Sequence, residues 1–191
     1  MPGEMQPRII DNFNLTVDIG NDIIVKVPPN LEDRKGSSNW KIIGIGKQKH
    51  IIDESGYTYT NIYIKSGVLS YKKKNFKPKR ELFISWSYNP SFRIDDISEN
   101  FYIRRATYLL EKLNIKELKQ YLKYLNKNQL RISRNYLFAR KGYIFKSKDL
   151  YDYFSNKVWY IPNPNITNDI KELNEKELDI FNLVCDYEKK L

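Results

Sequence analysis

The chain has 191 residues, 41% hydrophobic and 29% charged, with a formal net charge of +10. That apolar share can build one large core or two small ones, which argues against a disordered chain. No run of about 18 apolar residues is present to span a bilayer, and a single cysteine, Cys185, excludes an internal disulfide.

The opening residues Met1 to Pro7 lack the basic start and apolar run of a signal peptide, so the chain as written is expected to be neither exported nor inserted. Residues 12 to 88 read as strands. Phe13, Leu15, Val17 and Ile19 alternate with polar neighbours, and Ile23 to Val27 follow the turn signal Gly20-Asn21-Asp22, which predicts a hairpin. After a Pro28–Asn39 loop containing Gly36, Ser37 and Ser38, Trp40 to Ile45 reads as a further strand, and Asp53 to Gly56 as a turn. Tyr57, Tyr59, Asn61 and Tyr63 then share one strand face, with Thr58, Thr60, Ile62 and Ile64 on the other. Val68 to Tyr71 and Leu82 to Tyr88 complete an antiparallel sheet or small barrel. Between them the run Lys72-Lys73-Lys74-Asn75-Phe76-Lys77-Pro78-Lys79-Arg80 reads as a basic loop.

After Asn89-Pro90 the apolar period lengthens to that of a helix. Tyr102, Ala106, Leu109, Leu110 and Leu113 share a face behind a cap at Ser98 and Glu99, and Ile115, Leu118, Leu122 and Leu125 form a second short helix after Asn114. Leu130 to Lys141 reads as a helix closed by a left-handed glycine at Gly142. Ser147 is placed to cap Lys148 to Phe154, Trp159 to Pro164 forms a stiff aromatic loop, and Asn174 with Glu177 forms a capping box before a last helix. The expected fold class is α+β: a β-rich domain over 1–97, a helical connector over 98–127, and a small helical domain over 128–191.

Residues 130–188 resemble the YARHG domain, a small bacterial module whose central motif is varied here to Phe138-Ala139-Arg140-Lys141-Gly142. Arg134-Asn135, Tyr143 to Ser147, Asp149-Leu150 with Tyr153-Phe154, Trp159-Tyr160 with Pro162, and Leu173-Asn174-Glu175 with Glu177 stand in the family's order. The resemblance implies a compact extracytoplasmic domain, often appended to peptidases, kinases or lipoproteins of the bacterial envelope, without established catalytic activity. Two positions depart from the motif: Phe138 lacks the tyrosine phenol, and Lys141 replaces the histidine, removing a group that would titrate near neutrality.

Arg134, Asn135 and Arg140 admit two readings: a guanidinium fork for a carboxylate or phosphate, or bridges from the helix to its neighbouring loops. Tyr160, like Trp159, is either a stacking platform or a plug against Phe145 and Phe154. Lys72, Lys73, Lys74, Lys77, Lys79 and Arg80 would give salt-sensitive anion binding, or simply solvate a hairpin tip. Asp95 and Asp96 are adjacent and make a poor acid/base pair. With His50 the only histidine, no metal site or Cys-His pair is expected, no cofactor is implied, and Cys185 reads as a core residue. The leading functional reading is a non-catalytic binding or structural module of the bacterial envelope engaging an anionic or glycan partner. A nucleic-acid-binding protein and a dedicated protein-interaction partner are the alternatives. Part of the basicity has a plain source in a composition rich in Lys, Asn, Ile and Tyr, whose codons are AT-rich.

Overall fold

The computed structural model describes residues 8–32, 38–52, 56, 58–79, 81–87 and 101–191. Expectations placed on Gly36, Ser37, Asp53 to Ser55, Tyr57, Arg80, Tyr88, Asp95, Asp96, Ser98 and Glu99 fall outside them. The chain divides into two compact units, Met1–Pro90 and Ser91–Leu191, and its class is α+β.

The first unit is an open, five-stranded antiparallel sheet with β1 (Ile10–Val17), β2 (Ile23–Val27), β3 (Trp40–Ile52), β4 (Thr58–Phe76) and β5 (Ser85–Ser87). The 19-residue β4 organises it. On one edge β4 pairs with β3, from Trp40 opposite Tyr71 to Ile52 opposite Thr58. On its other edge it pairs first with β1, from Ile10 opposite Phe76 to Val17 opposite Leu69, and then with β2, from Ile23 opposite Ile64 to Val27 opposite Thr60. The expected β1–β2 hairpin is therefore incorrect. Gly20 (φ 88°) and Asp22 (φ 56°) do adopt the left-handed backbone of a turn. They use it to interrupt a path that continues in the same direction along β4. The last strand is also shorter than expected, with β5 pairing on β2 over residues 85–87.

One face of the sheet carries an apolar core of Ile23, Val25, Val27, Leu31, Trp40, Ile62, Ile64, Leu69, Tyr71 and Phe76, with Phe13, Leu15, Val17 and Ile42 packed against it. In β4 these positions are even-numbered at Ile62 and Ile64 and odd-numbered at Leu69 and Tyr71. The switch comes from a β-bulge: Ile45 pairs with Ser66 and Gly46 with Ile64, leaving Lys65 as the extra residue. Gly44 and Gly67 face each other beside it, both at positive φ. A Cβ on Gly67 would lie 2.1 Å from the Ile43 carbonyl oxygen, so only glycine fits this close approach. Aromatic pairs tie the core together, Trp40 to Tyr71 at 5.1 Å and Phe13 to Phe76 at 4.5 Å between centroids. Such pairs contribute about 0.5–1.5 kcal/mol each beyond their buried area. Tyr59, Asn61 and Tyr63 alternate with Thr60, Ile62 and Ile64 as expected, and both sets are buried.

The second unit contains α1 (Phe101–Glu111), α2 (Ile115–Leu122), α3 (Lys127–Lys141), α4 (Lys148–Ser155), a 3-10 turn (Ile170–Glu172) and α5 (Glu175–Glu188). Residues 98–127, set apart above as a connector, contribute α1 and α2 to this unit, where α1 packs on α2 and α3 and α2 touches α5. Local chemistry accounts for the helix ends. Asn114 caps α2, while Asn126 with Gln129 and Asn174 with Glu177 form reciprocal capping boxes on α3 and α5. Gly142, at φ 98°, closes α3 by donating to the Ala139 carbonyl, and a Cβ there would come within 2.6 Å of the Ile161 carbonyl oxygen. Ser147 precedes α4 but makes no side-chain cap; its hydroxyl accepts from Arg131 instead. Ile180 and Val184 form the buried stripe of α5.

Candidate functional site

The C-terminal candidates sit within the fold of their own unit. Tyr160 is wholly buried and donates from its hydroxyl to the Tyr143 carbonyl at 2.7 Å; burial also pushes its phenol pKa up. Trp159, Phe145 and Phe154 surround it, with Phe154 centred 6.2 Å from Tyr160 and 6.0 Å from Trp159. This is the plug of the two readings, and it leaves Tyr160 no solvent-facing ring for stacking. Asn135 donates 2.8 Å to the Arg131 carbonyl one helical turn back. Arg134 Nε lies 3.1 Å from Glu188 Oε2, an ion pair without hydrogen-bond alignment. Arg140 Nη2 lies 3.6 Å from Glu111 Oε1, and its guanidinium carbon stands 5.3 Å from the Trp159 ring centroid. Lys141, at the motif histidine position, pairs at 2.9 Å with Glu177 Oε2, the oxygen that also accepts the Asn174 amide.

Arg131 binds the Asp149 carboxylate and the Ser147 hydroxyl together, and that hydrogen bond holds the Asp149 pKa down to about 2. Cys185 is half-buried on α5, its thiol pKa pushed up by burial and partly offset by Arg134. Arg131, Arg134, Arg140 and Lys141 thus each pair with a carboxylate on another helix, rather than bridging α3 to its neighbouring loops.

The basic run has a different setting from the loop expected. Lys72 to Phe76 is the end of β4, paired with β1, so its side chains alternate between faces. Lys73 points toward the core side and forms a 2.8 Å ion pair with Glu32, whose carboxylate also accepts the Lys77 amide. That contact lowers the Glu32 pKa and raises that of Lys73. Asn75, at φ 49°, breaks the alternation and turns Phe76 into the core. Lys77 and Lys79 follow the strand, with the Lys79 amide donating to the Leu31 carbonyl.

Lys72 and Lys74 project from the face opposite the core and are exposed. Register places Asn14 beside Lys72, Asn12 beside Lys74, and Thr16 and Lys41 on either side of Ser70. Asn12, Asn14, Thr16 and Lys41 are exposed as well. The result is a polar sheet face presenting three ammonium groups and two amides, with no carboxylate at any of these register positions. Among the described residues Lys41, Lys72 and Lys74 form no ion pair. Lys41, Asn12, Asn14 and Thr16 had no place in the sequence reading, although the alternation of Asn12, Asn14 and Thr16 with Phe13, Leu15 and Val17 was the available signal.

Farther along the same face, Lys26 places its ammonium 3.5 Å from the Tyr59 ring centroid, and Tyr63 donates its hydroxyl to Asp22. Lys47 has a lowered pKa, from burial first and the neighbouring Lys49 charge second. Among the described residues no cluster of His, Cys, Asp and Glu is placed to hold a metal ion, and no helix is long and apolar enough to cross a membrane.

Comparison with known families decides the C-terminal part: residues 106–189 match the YARHG domain. The match begins upstream of the segment resembling the family in sequence and takes in the end of α1 and all of α2. No curated protein matches the chain. Among solved structures the chain is similar to a candidate nutrient binding protein from Legionella pneumophila, with 20% identity and a TM-score of 0.42. The similarity covers 95% of this chain and 48% of the Legionella chain, so the protein spans about half the length of that structure.

Proposed function

We propose that the protein is a non-catalytic binding module of the bacterial cell envelope that engages an anionic or glycan partner through the open polar face of its sheet. The observation that carries this reading is the grouping of Lys41, Lys72 and Lys74 with Asn12, Asn14 and Thr16 on one exposed face, with no ion pair to any of the three lysines among the described residues. An ammonium without a carboxylate partner keeps its full attraction for a phosphate or carboxylate ligand, and neighbouring amides and hydroxyls can bond the uncharged parts of a polymer. The envelope assignment draws on the YARHG domain, whose relatives stand in extracytoplasmic proteins. In this reading the YARHG domain is a folded companion whose Arg131, Arg134, Arg140 and Lys141 pair with carboxylates of neighbouring helices, and the sheet supplies the contact surface.

The test is co-sedimentation of the full chain with purified bacterial cell wall, alongside RNA and DNA binding, at low and high salt. Saturable wall binding that weakens in the Lys72→Glu/Lys74→Glu variant supports the proposal. Binding confined to nucleic acid and lost steeply with salt would overturn the envelope assignment and give the same lysines a nucleic-acid role.

A further inference from the structure

The open face has an apolar end that a soluble polyanion would not require. Ile43 and Ile45 on β3 are 54% and 52% exposed, and they alternate with Lys41 on the same side of the strand. Register sets Ile43 opposite Val68 and Ile45 opposite Ser66, directly beyond Ser70, Lys72 and Lys74 along β4. One surface thus runs from two branched aliphatic side chains to three lysines.

We infer that this surface docks on an anionic lipid membrane. The inference rests on the proposed anionic-binding role of the face and names its partner. A phosphate polymer offers charge and polar groups to such a surface but no hydrocarbon, leaving Ile43 and Ile45 in water. The boundary between lipid headgroups and acyl chains offers both halves of the match, phosphate for the ammonium groups and hydrocarbon for the isoleucines. Lys41, Lys72 and Lys74 have stems long enough to reach headgroups while the isoleucines enter the boundary below them. A second copy of the chain is a poorer occupant, because the same face would set Lys41, Lys72 and Lys74 against the same three lysines.

The experiment is sedimentation of the full chain with vesicles of phosphatidylcholine alone and of phosphatidylcholine mixed with phosphatidylglycerol, with a soluble anionic cell-wall polymer measured in parallel. Ile43→Thr/Ile45→Thr keeps β-branched residues at exposed strand positions, so the fold is retained, as circular dichroism would verify. The native chain is expected to bind the mixed vesicles and not the neutral ones. The threonine variant should lose vesicle affinity by about tenfold or more while keeping its affinity for the polymer. Lys72→Glu/Lys74→Glu should lose both. Unchanged vesicle binding by the threonine variant, or polymer binding without vesicle binding, would overturn the lipid inference and leave the proposed function standing. Failure of the native chain to bind vesicles, polymer or wall would overturn both.

Discussion

Residues 1–90 hold fourteen basic and nine acidic side chains and residues 91–191 hold nineteen and fourteen, so the two units carry the same positive excess. Their cations are arranged differently. In the helical unit Arg105, Arg131, Arg134, Arg140 and Lys141 each meet a carboxylate from another helix. In the sheet, Lys73 meets Glu32, while Lys41, Lys72 and Lys74 stand on an exposed face among amides and hydroxyls. Net charge therefore says little about where an anionic partner binds, and the distribution of counter-charges says more. The motif arginines that look most like a recognition site are the ones the fold has engaged.

Substitutions can separate the two uses of charge. The largest effect is expected from Gly142→Ala, which forces a side chain into left-handed backbone and against the Ile161 carbonyl. It should destabilise the helical unit by about 2 kcal/mol or more, seen as earlier loss of helical circular dichroism in urea, with amide exchange in β3 and β4 unchanged. Next, Lys72→Glu/Lys74→Glu should reduce affinity for anionic polymer by at least about tenfold while shifting stability by no more than about 0.5 kcal/mol. Arg140→Met should do the reverse, leaving binding intact and costing about 1–2 kcal/mol as Glu111 and Trp159 lose their contacts with the guanidinium. A result in which Arg140→Met abolishes binding would erase the contrast between the units.

Asn174→Ala removes half of a capping box and should cost about 1 kcal/mol in thermal or urea unfolding. The smallest effect concerns pH. Because Arg131 lowers the Asp149 pKa in the folded state to about 2, the pair stabilises the fold above the ordinary carboxylate value near 3.8 and loses that contribution as pH falls toward 2. An NMR titration of the Asp149 carboxyl should show this lowered midpoint, and Arg131→Ala should return it upward toward its usual range.

Most of the helical unit was legible because its signals are local. The Asn174–Glu177 box, the Asn114 break and the Gly142 cap each need only a few consecutive residues, and each formed. What escaped was set by residues distant in sequence: the pairing of Arg140 with Glu111 and of Arg134 with Glu188, and the diversion of the Ser147 hydroxyl from capping to Arg131. In the sheet, Gly20-Asn21-Asp22 correctly signalled positive φ, but a dihedral preference does not say whether the chain then reverses or resumes its direction. The lysine run was read as a loop because density of charge masked a period of two, with Lys73 and Phe76 held inward and Lys72 and Lys74 outward. Of the candidate surface, only its lysines in the 72–80 run were visible beforehand, since Lys41 joins them through register alone.

The extra residue at Lys65 acts on β4 as a frameshift acts on a message. Upstream of it the even-numbered side chains enter the core, and downstream the odd-numbered ones do, so Leu69 and Tyr71 go inward while Lys72 and Lys74 face out with Lys41. Were the strand to continue in its first frame, Ser70, Lys72 and Lys74 would fall on the core side and Leu69 and Tyr71 on the open side. A single inserted residue thus determines the composition of both faces over the second half of the longest strand. Relatives that share the sheet but lack the insertion would need the opposite polar pattern after it, a difference that can be read from their sequences.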